Sequence, residues 1–283
     1  MSDSHIFADV DLRQSECFAF AGGEAAVLSA RKPEREGPNE DAAALISIGD
    51  RTGVAIVSDG AGGHPDGAAA AAIAVKAVCD AVSAVGDEAR GLREAIINGF
   101  ESGDKAISAL GTGAAATLAV VEIQGNTMRA YHAGDSMVLV TGQRGRIKWL
   151  TVPHSPVGYA VEAGFLDRGE ALHHEDLHLV SNLLGGQDMR IELGATLTLA
   201  PRDTVVLASD GVSDNLHLDE IVERIRKGPL RTAANELASL GAKRMHAPTE
   251  GAPSKPDDLT FIAIRRRSTR GRKAGPTAGG RGS

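Results

Sequence analysis

Carboxylates recur in this chain where short apolar runs stop or start, and that placement is its first sign of chemistry. Glu40-Asp41 precede one run, Asp59-Gly60 end another, Asp135 follows a third, Asp210-Gly211 end a fourth, and Asp257-Asp258 precede the last. Taken singly, each has a plain structural explanation, because Asp and Gly are favoured turn residues. Their repetition is harder to account for that way. If the strand ends converge, the carboxylates repel one another unless cations sit among them. Oxygen donors without cysteine select hard ions such as Mg²⁺ or Mn²⁺. Two such ions roughly 3.5–4 Å apart can activate a bridging water and hold a phosphoryl group for in-line attack.

The elements that must position these groups are legible around Val54-Ala55-Ile56-Val57-Ser58-Asp59-Gly60-Ala61-Gly62-Gly63-His64. The apolar, β-branched run predicts a buried strand that the glycines end abruptly, leaving Asp59 at its mouth. An alanine-rich helix follows over 65–85, with Val75, Val78, Val82 and Val85 on one face. A second helix is expected over 87–110, striped by Leu92, Ile96, Phe100, Ile107 and Leu110 and weakened by Gly99 and Gly103. Both stripes read as core. Strands are expected over 18–29 (broken at Gly22-Gly23), 43–48, 54–58, 116–122, 128–132, 137–141, 147–150, 195–199, 204–209 and 259–264, and further helices over 217–227 and 229–244. Residues 1–15 are polar and expected to be loosely held. The stretch 153–190 has no clear period; it holds His154, His173, His174 and His178. His173 and His174 are adjacent and so point apart, and no dedicated metal site is expected there. Strands, two helices, strands, two helices and a strand, joined by short links, predict antiparallel sheets with helices outside, an α+β layered sandwich.

Composition sets the class. The chain has 283 residues, with 42% hydrophobic, 24% charged and only 3% aromatic content, so its core is built mainly from Ala, Val, Leu and Ile. No apolar run approaches the roughly 20 residues of a membrane span. The opening Met1-Ser2-Asp3-Ser4-His5 has no basic region leading into an apolar one, and Cys17 and Cys79 match no metal spacing. A cytoplasmic protein without a secretory signal is therefore expected. The formal charge of −7 is uneven: seven basic residues and no acidic one lie between Arg265 and Ser283. Without them, 23 of the 30 basic residues stand against all 37 acidic ones, which argues against nucleic acid as the main ligand. The Gly, Arg and Pro-rich end, 268–283, reads as a disordered basic tail behind a single domain of residues 1–267.

Asn39-Glu40-Asp41, Val57-Ser58-Asp59-Gly60-Ala61-Gly62-Gly63, Ala133-Gly134-Asp135-Ser136, Leu207-Ala208-Ser209-Asp210-Gly211-Val212-Ser213-Asp214 and Asp257-Asp258-Leu259-Thr260 resemble, in order, the motifs of metal-dependent protein phosphatases of type 2C. They run from residue 39 to 260 and are jointly specific. The resemblance implies a four-layer αββα sandwich, with two antiparallel sheets between helix pairs. It also implies hydrolysis of phosphoserine and phosphothreonine monoesters on proteins by a hydroxide bridging two ions, Mn²⁺ or Mg²⁺. Asp59 then bridges both metals and the Gly60 carbonyl joins the second. Asp210 and Asp257 complete the first ion, and Glu40 and Asp41 hold the second, directly or through water. Asp135 and Asp214 match the outer ligands of a third, weaker ion in bacterial members. Thr112-Gly113 to Thr117 occupies the place of a Gly-Ser/Thr-rich strand start, read here as close packing.

The chain departs from that pattern in several places. The phosphate-binding arginine's position, four residues before the glutamate, is Glu36; Arg35, one further away, and Arg31 are the candidates. The arginine that often follows Gly-Asp-Ser is Met137, and the usual Asp-His pair is Pro153-His154. The usual Asp-Asn before the last strand is Asp257-Asp258, so the Asp258 charge is expected to oppose an incoming phosphate. His64, closing the glycine loop, is the candidate proton donor for the leaving alkoxide, with a loop-ordering role as the alternative. The expected partners are phosphorylated proteins, including a serine/threonine kinase in a signalling system, with no nucleic acid, no membrane and a monomeric state. Two rivals are carried: a non-catalytic binding protein of this fold, and a phosphatase dedicated to one small regulatory phosphoprotein of the anti-sigma antagonist type.

Overall fold

The computed structural model describes residues 3–34, 36–61, 66–86 and 90–266. Strands β1 (Asp3–Ala8), β4 (Asp41–Ile48), β5 (Thr52–Asp59), β6 (Leu118–Gln124), β7 (Thr127–Ala133) and β10 (Glu192–Leu193) lie in that order in one sheet, and β11 (Leu197–Thr198) also pairs with β7. The second sheet runs β2 (Glu16–Phe20), β3 (Gly23–Ala30), β13 (Leu259–Arg266), β12 (Thr204–Ala208), β8 (Met137–Thr141) and β9 (Ile147–Leu150). The strand pairs are antiparallel throughout.

Three apolar layers hold the sandwich together. Side chains on a strand alternate between faces, so a strand covered on both sides reads as a continuous apolar run. β4 shows this: Ala43 and Leu45 pack between the sheets with Val57, Val121, Val205 and Ile262. Its alternate residues, Ala42, Ala44 and Ile46, meet helices α1 (Gly67–Ser83) and α2 (Leu92–Ser108). The outer face of the second sheet, with Leu28, Val206 and Phe261, is covered by α5 (Asp210–Ser213), α6 (Leu218–Ile225) and α7 (Leu230–His246). This is the expected four-layer αββα order. Gly99 weakens α2 by propensity, but a Cβ there would lie 2.7 Å from the Cα of Val78. The glycine is what lets α1 and α2 touch.

Several expectations needed correction. The polar N-terminus is ordered: β1 pairs with β4 from Asp3↔Ser47 to Ala8↔Ala42, although only Phe7 of its residues is buried. As an edge strand it is held by backbone ladder bonds and needs little apolar content. The strand expected over 195–199 is shorter, and a second short piece, β10, precedes it. The unperiodic stretch contains two short helices, α3 (Pro156–Glu162) and α4 (Arg168–Ala171). α3 is capped by Ser155 with Pro156 at its first position, a start signal that does not depend on hydrophobic period. Among the described residues no helix is long and apolar enough to cross a membrane.

Candidate active site

The acidic strand ends do converge. β4 and β5 place Asp41 directly opposite Asp59, with both side chains on one face at adjacent strands. Like charges opposed in this way destabilise a sheet, so the arrangement needs a reason beyond folding. The chain fixes it firmly. The Asp59 N–H donates to Thr117 Oγ1 at 3.0 Å, and Ser58 Oγ donates to the Thr117 carbonyl at 2.6 Å. Thr117 Oγ1 also meets Ser136 Oγ at 2.7 Å, tying the β5 end to the turn that carries Asp135. Asp41 is itself buried; it accepts Ser209 Oγ–H at 2.8 Å, while Asn39 Oδ1 accepts its N–H at 2.9 Å. Ser209 belongs to the turn between β12 and Asp210, so one hydroxyl joins the two sheets at the cluster.

Asp210 opens α5, one turn of helix capped at its C-terminus by Asp214, and Asp257 lies just before β13, the strand paired with β12. Gly211 is required here, because a Cβ would sit 1.8 Å from the Asp258 carbonyl oxygen. Asn215, fully buried, donates to the carbonyls of Gly211 and Lys255 at 2.9 and 2.7 Å and accepts the Lys255 N–H at 2.8 Å.

The charges confirm how closely these groups crowd. Burial pushes the Asp59 carboxyl well above the usual range, and the negative charges of Asp41, Asp210 and Asp135 push it further. Asp41 is raised as well, chiefly by burial, against the pull of the Ser209 hydroxyl. Burial, followed by the charge of Asp210, lifts Asp135 to about 7 and Asp214 to about 7. Asp257 is raised for the same two reasons. A set of carboxylates that cannot all ionise together is suited to divalent cations, and the donors are all oxygen. The residues therefore fit the expected metal centre. A cavity of about 990 Å³ adjoins it, lined by Asp135, Asp210 and Asp214 and by apolar side chains such as Met137, Leu150 and Val157.

Glu40 sits at the rim. Its N–H donates to Asp258 Oδ2 at 2.8 Å and its carbonyl accepts the Gly60 N–H at 3.0 Å. Its Oε1 lies 3.5 Å from where a Cβ on Gly67 would stand, beside the Gly60 turn. Arg31 is exposed and turned to Asp9 at 3.2 Å. Arg35 and His64 lie outside the described residues. The structure adds a basic residue at this edge, Lys32, whose charge opposes the upward shift of Asp257. Sequence reasoning had no signal for Lys32 beyond its place one residue from Arg31.

Asp258 overturns an expectation. It is 3% exposed, and its two oxygens accept the Lys32 N–H at 2.6 Å and the Glu40 N–H at 2.8 Å. Its charge is spent on holding the loop before β4 against the start of β13, where it was expected to face substrate.

His154 belongs with His132 and Glu192 and not with the histidines near it in sequence. It stacks on His132 at 4.3 Å and meets Glu192 at 3.1 Å, away from any cluster with His173, His174 or His178. Ligand atoms of His132, His154 and Glu192 lie within 4.8 Å of one another. Yet His154 Nδ1 accepts the Gly134 N–H at 3.1 Å, so in the neutral ring the proton is on Nε2, facing Glu192. That nitrogen has no lone pair to give a metal. His154 instead steadies the turn that presents Asp135, and burial, together with the His154 ring, lowers His132 to about 4.

A two-sheet sandwich with helices on both outer faces and a buried carboxylate cluster at one end defines a class of hydrolytic metalloproteins. The pattern of the protein phosphatase 2C family matches residues 31–244. The protein phosphatase PhpP of Streptococcus pneumoniae is 31% identical over 173 residues, 59% of this chain and 70% of that protein. The Mycobacterium tuberculosis serine/threonine phosphatase PstP/Ppp superposes with a TM-score of 0.68 at 25% identity, covering 86% of this chain and 98% of that one. The catalytic domain of PstP in complex with two manganese ions superposes with a TM-score of 0.64 at 24% identity, covering 86% and 98%. The chain belongs to the protein phosphatase 2C family, and it is a metal-dependent serine/threonine phosphoprotein phosphatase.

Proposed function

We propose that this phosphatase works in the cleft above the Asp41–Asp59 pair, with Mn²⁺ or Mg²⁺ as its ions. The observation that carries the reading is the raised, mutually repelling set Asp41, Asp59, Asp135, Asp214 and Asp257 around Asp210. Asp59 would serve both ions, Asp210 and Asp257 would hold the first, and Glu40, Asp41 and the Gly60 carbonyl would hold the second. Asp135 and Asp214 are the outermost donors. The relative that holds two manganese ions supports this count. Bound ions supply activation of water and neutralisation of phosphoryl charge.

The chain's own groups do the rest. In the reaction a water oxygen ends on phosphorus, the phosphorus–oxygen ester bond breaks, and a proton goes to the serine or threonine oxygen. His64 is our candidate for that proton, and Arg35 for holding the phosphoryl oxygens, with Arg31 as the alternative. Thr117, Ser209 and Asn39 keep the acidic side chains in place, so no reorganisation is needed when substrate arrives. The biological setting we infer is reversal of a serine/threonine kinase's signalling by a monomeric, cytoplasmic enzyme.

Turnover of a phosphothreonine peptide with and without Mn²⁺ tests the reading directly. We expect activity only with Mn²⁺ or Mg²⁺, and none after exhaustive chelation. Full turnover in the chelated protein would sink it, and none under any metal would favour a non-catalytic binding protein. Residues 1–267 are proposed as the catalytic domain. A chain ending at Arg267 is expected to keep its turnover on a short peptide, because 268–283 carry no large apolar side chain that could dock on the core. A large loss in that assay would make the tail part of the site.

A further inference from the structure

Among the described residues, a lysine of the chain reaches into the carboxylate cluster. Lys255 Nζ donates to Asp210 Oδ2 at 2.6 Å and to Asp214 Oδ2 at 2.9 Å, and reaches Asp257 Oδ2 at 3.4 Å. An ammonium has three N–H donors, and here three acidic residues share them. The placement is built in from several sides. Asn215 fixes the Lys255 backbone through both its N–H and its carbonyl. Pro253 and Pro256 flank the lysine, and Ser254 Oγ donates to the Arg244 carbonyl of α7 at 2.9 Å. The stem therefore starts from an anchored segment, and the side chain is only 38% exposed.

We propose that Lys255 is an internal competitor for the outermost cation of the metal centre, weakening a third ion while leaving the two inner ones in place. The inference rests on the metal-centre reading above. An ion such as Mg²⁺ needs its oxygen ligands at about 2.0–2.1 Å, closer than the ammonium stands. It cannot use Asp210 Oδ2 and Asp214 Oδ2 while Lys255 occupies the space between them. An ion at the outer position must expel the ammonium, and Asp135 and Asp214 are the carboxylates it would gain. Asp41 and Asp59 make no contact with Lys255 among those described, and the ammonium takes only Oδ2 of Asp210 and of Asp257, leaving Oδ1 of each to the first ion.

The test is Mn²⁺ binding followed by calorimetry and by electron paramagnetic resonance of free Mn²⁺, on wild type, Lys255→Met and Lys255→Arg. We expect two ions on the wild type, with any third at least about tenfold weaker than in Lys255→Met. Lys255→Met should gain a third equivalent, and Lys255→Arg, which keeps the charge, should resemble wild type. Thermal melts give a second readout that needs no turnover. In chelator, Lys255→Met should melt lower than wild type, because its carboxylates have lost their counter-charge, and Mn²⁺ should raise it by more. If Lys255→Met does not fold without metal, Lys255→Gln carries the same comparison. Identical isotherms and equal Mn²⁺-induced melting shifts would overturn the inference alone. No Mn²⁺ bound to any of the proteins would overturn the metal centre and this inference with it.

Discussion

Asp59→Asn is expected to abolish Mn²⁺ binding and phosphatase turnover while raising the melting temperature of the metal-free protein. The loss of turnover should exceed about 100-fold, since even residues that only orient metal ligands cost 10–100-fold. The gain in stability follows from the sign of the carboxylate shifts. Asp59 is raised by burial and by its neighbours' charges, and Asp135 and Asp214 are raised to about 7. A carboxyl whose folded value is raised contributes stability that is present in full below its unfolded value near 3.8 and is lost as pH rises through the folded value. In chelator, the wild type should therefore lose stability between about pH 4 and 7, and Mn²⁺ should remove that loss. Asn at position 59 deletes one charge from the cluster permanently. About 1 kcal/mol recovered at pH 7.5 corresponds to roughly 2–4 °C in a domain of this size. The backbone bond from residue 59 to Thr117 Oγ1 is untouched by the change. Wild-type turnover in the variant would reduce Asp59 to a turn residue. A lower melting point in chelator would show that repulsion is not what limits the metal-free fold.

Much of this site could be read before the fold was known, for a physical reason. A metal centre at strand ends leaves a local signature, because each ligand must follow or precede an apolar run of strand length. Asp59, Asp135, Asp210 and Asp257 all carry that signature, and the structure brings them together. The helices of the outer layers were equally legible, since Val75, Val78 and Val82 repeat with the helical period and are buried. The positioning groups were not. Ser209 meets Asp41 across 168 residues of chain and Lys255 meets Asp210 across 45, and neither contact has a local pattern. Asp258 was misread because adjacent acids look alike in sequence, whereas burial separates them sharply. β1 was missed because an edge strand covered on one side needs few apolar residues. α3 and α4 were missed because two short helices give the period too few turns to register.

The sharpest separation is expected between Asp257→Ala and Asp258→Asn, neighbours with opposite duties. Asp257 is partly exposed, stands 3.4 Å from Lys255 and is raised by burial and by Asp210, the position of a ligand. Its removal should abolish turnover and Mn²⁺ binding without lowering the melting point in chelator. Asp258 accepts one backbone N–H on each oxygen, from Lys32 and Glu40. An asparagine can accept only one of them and must turn its NH₂ toward the other, leaving a buried donor facing a donor. That costs about 1–3 kcal/mol, or several degrees of melting temperature, and loosens the loop carrying Glu40 and Asp41. Turnover should therefore fall with stability, whereas relief of a charge facing the phosphate would have raised it. Melting curves in chelator and kcat/KM on a phosphothreonine peptide distinguish the two outcomes for each variant. Asp258→Asn with unchanged melting and higher turnover would restore the view that its charge faces substrate. Asp257→Ala with normal turnover would mean that the strand-end carboxylate on the first ion is the other residue of the pair.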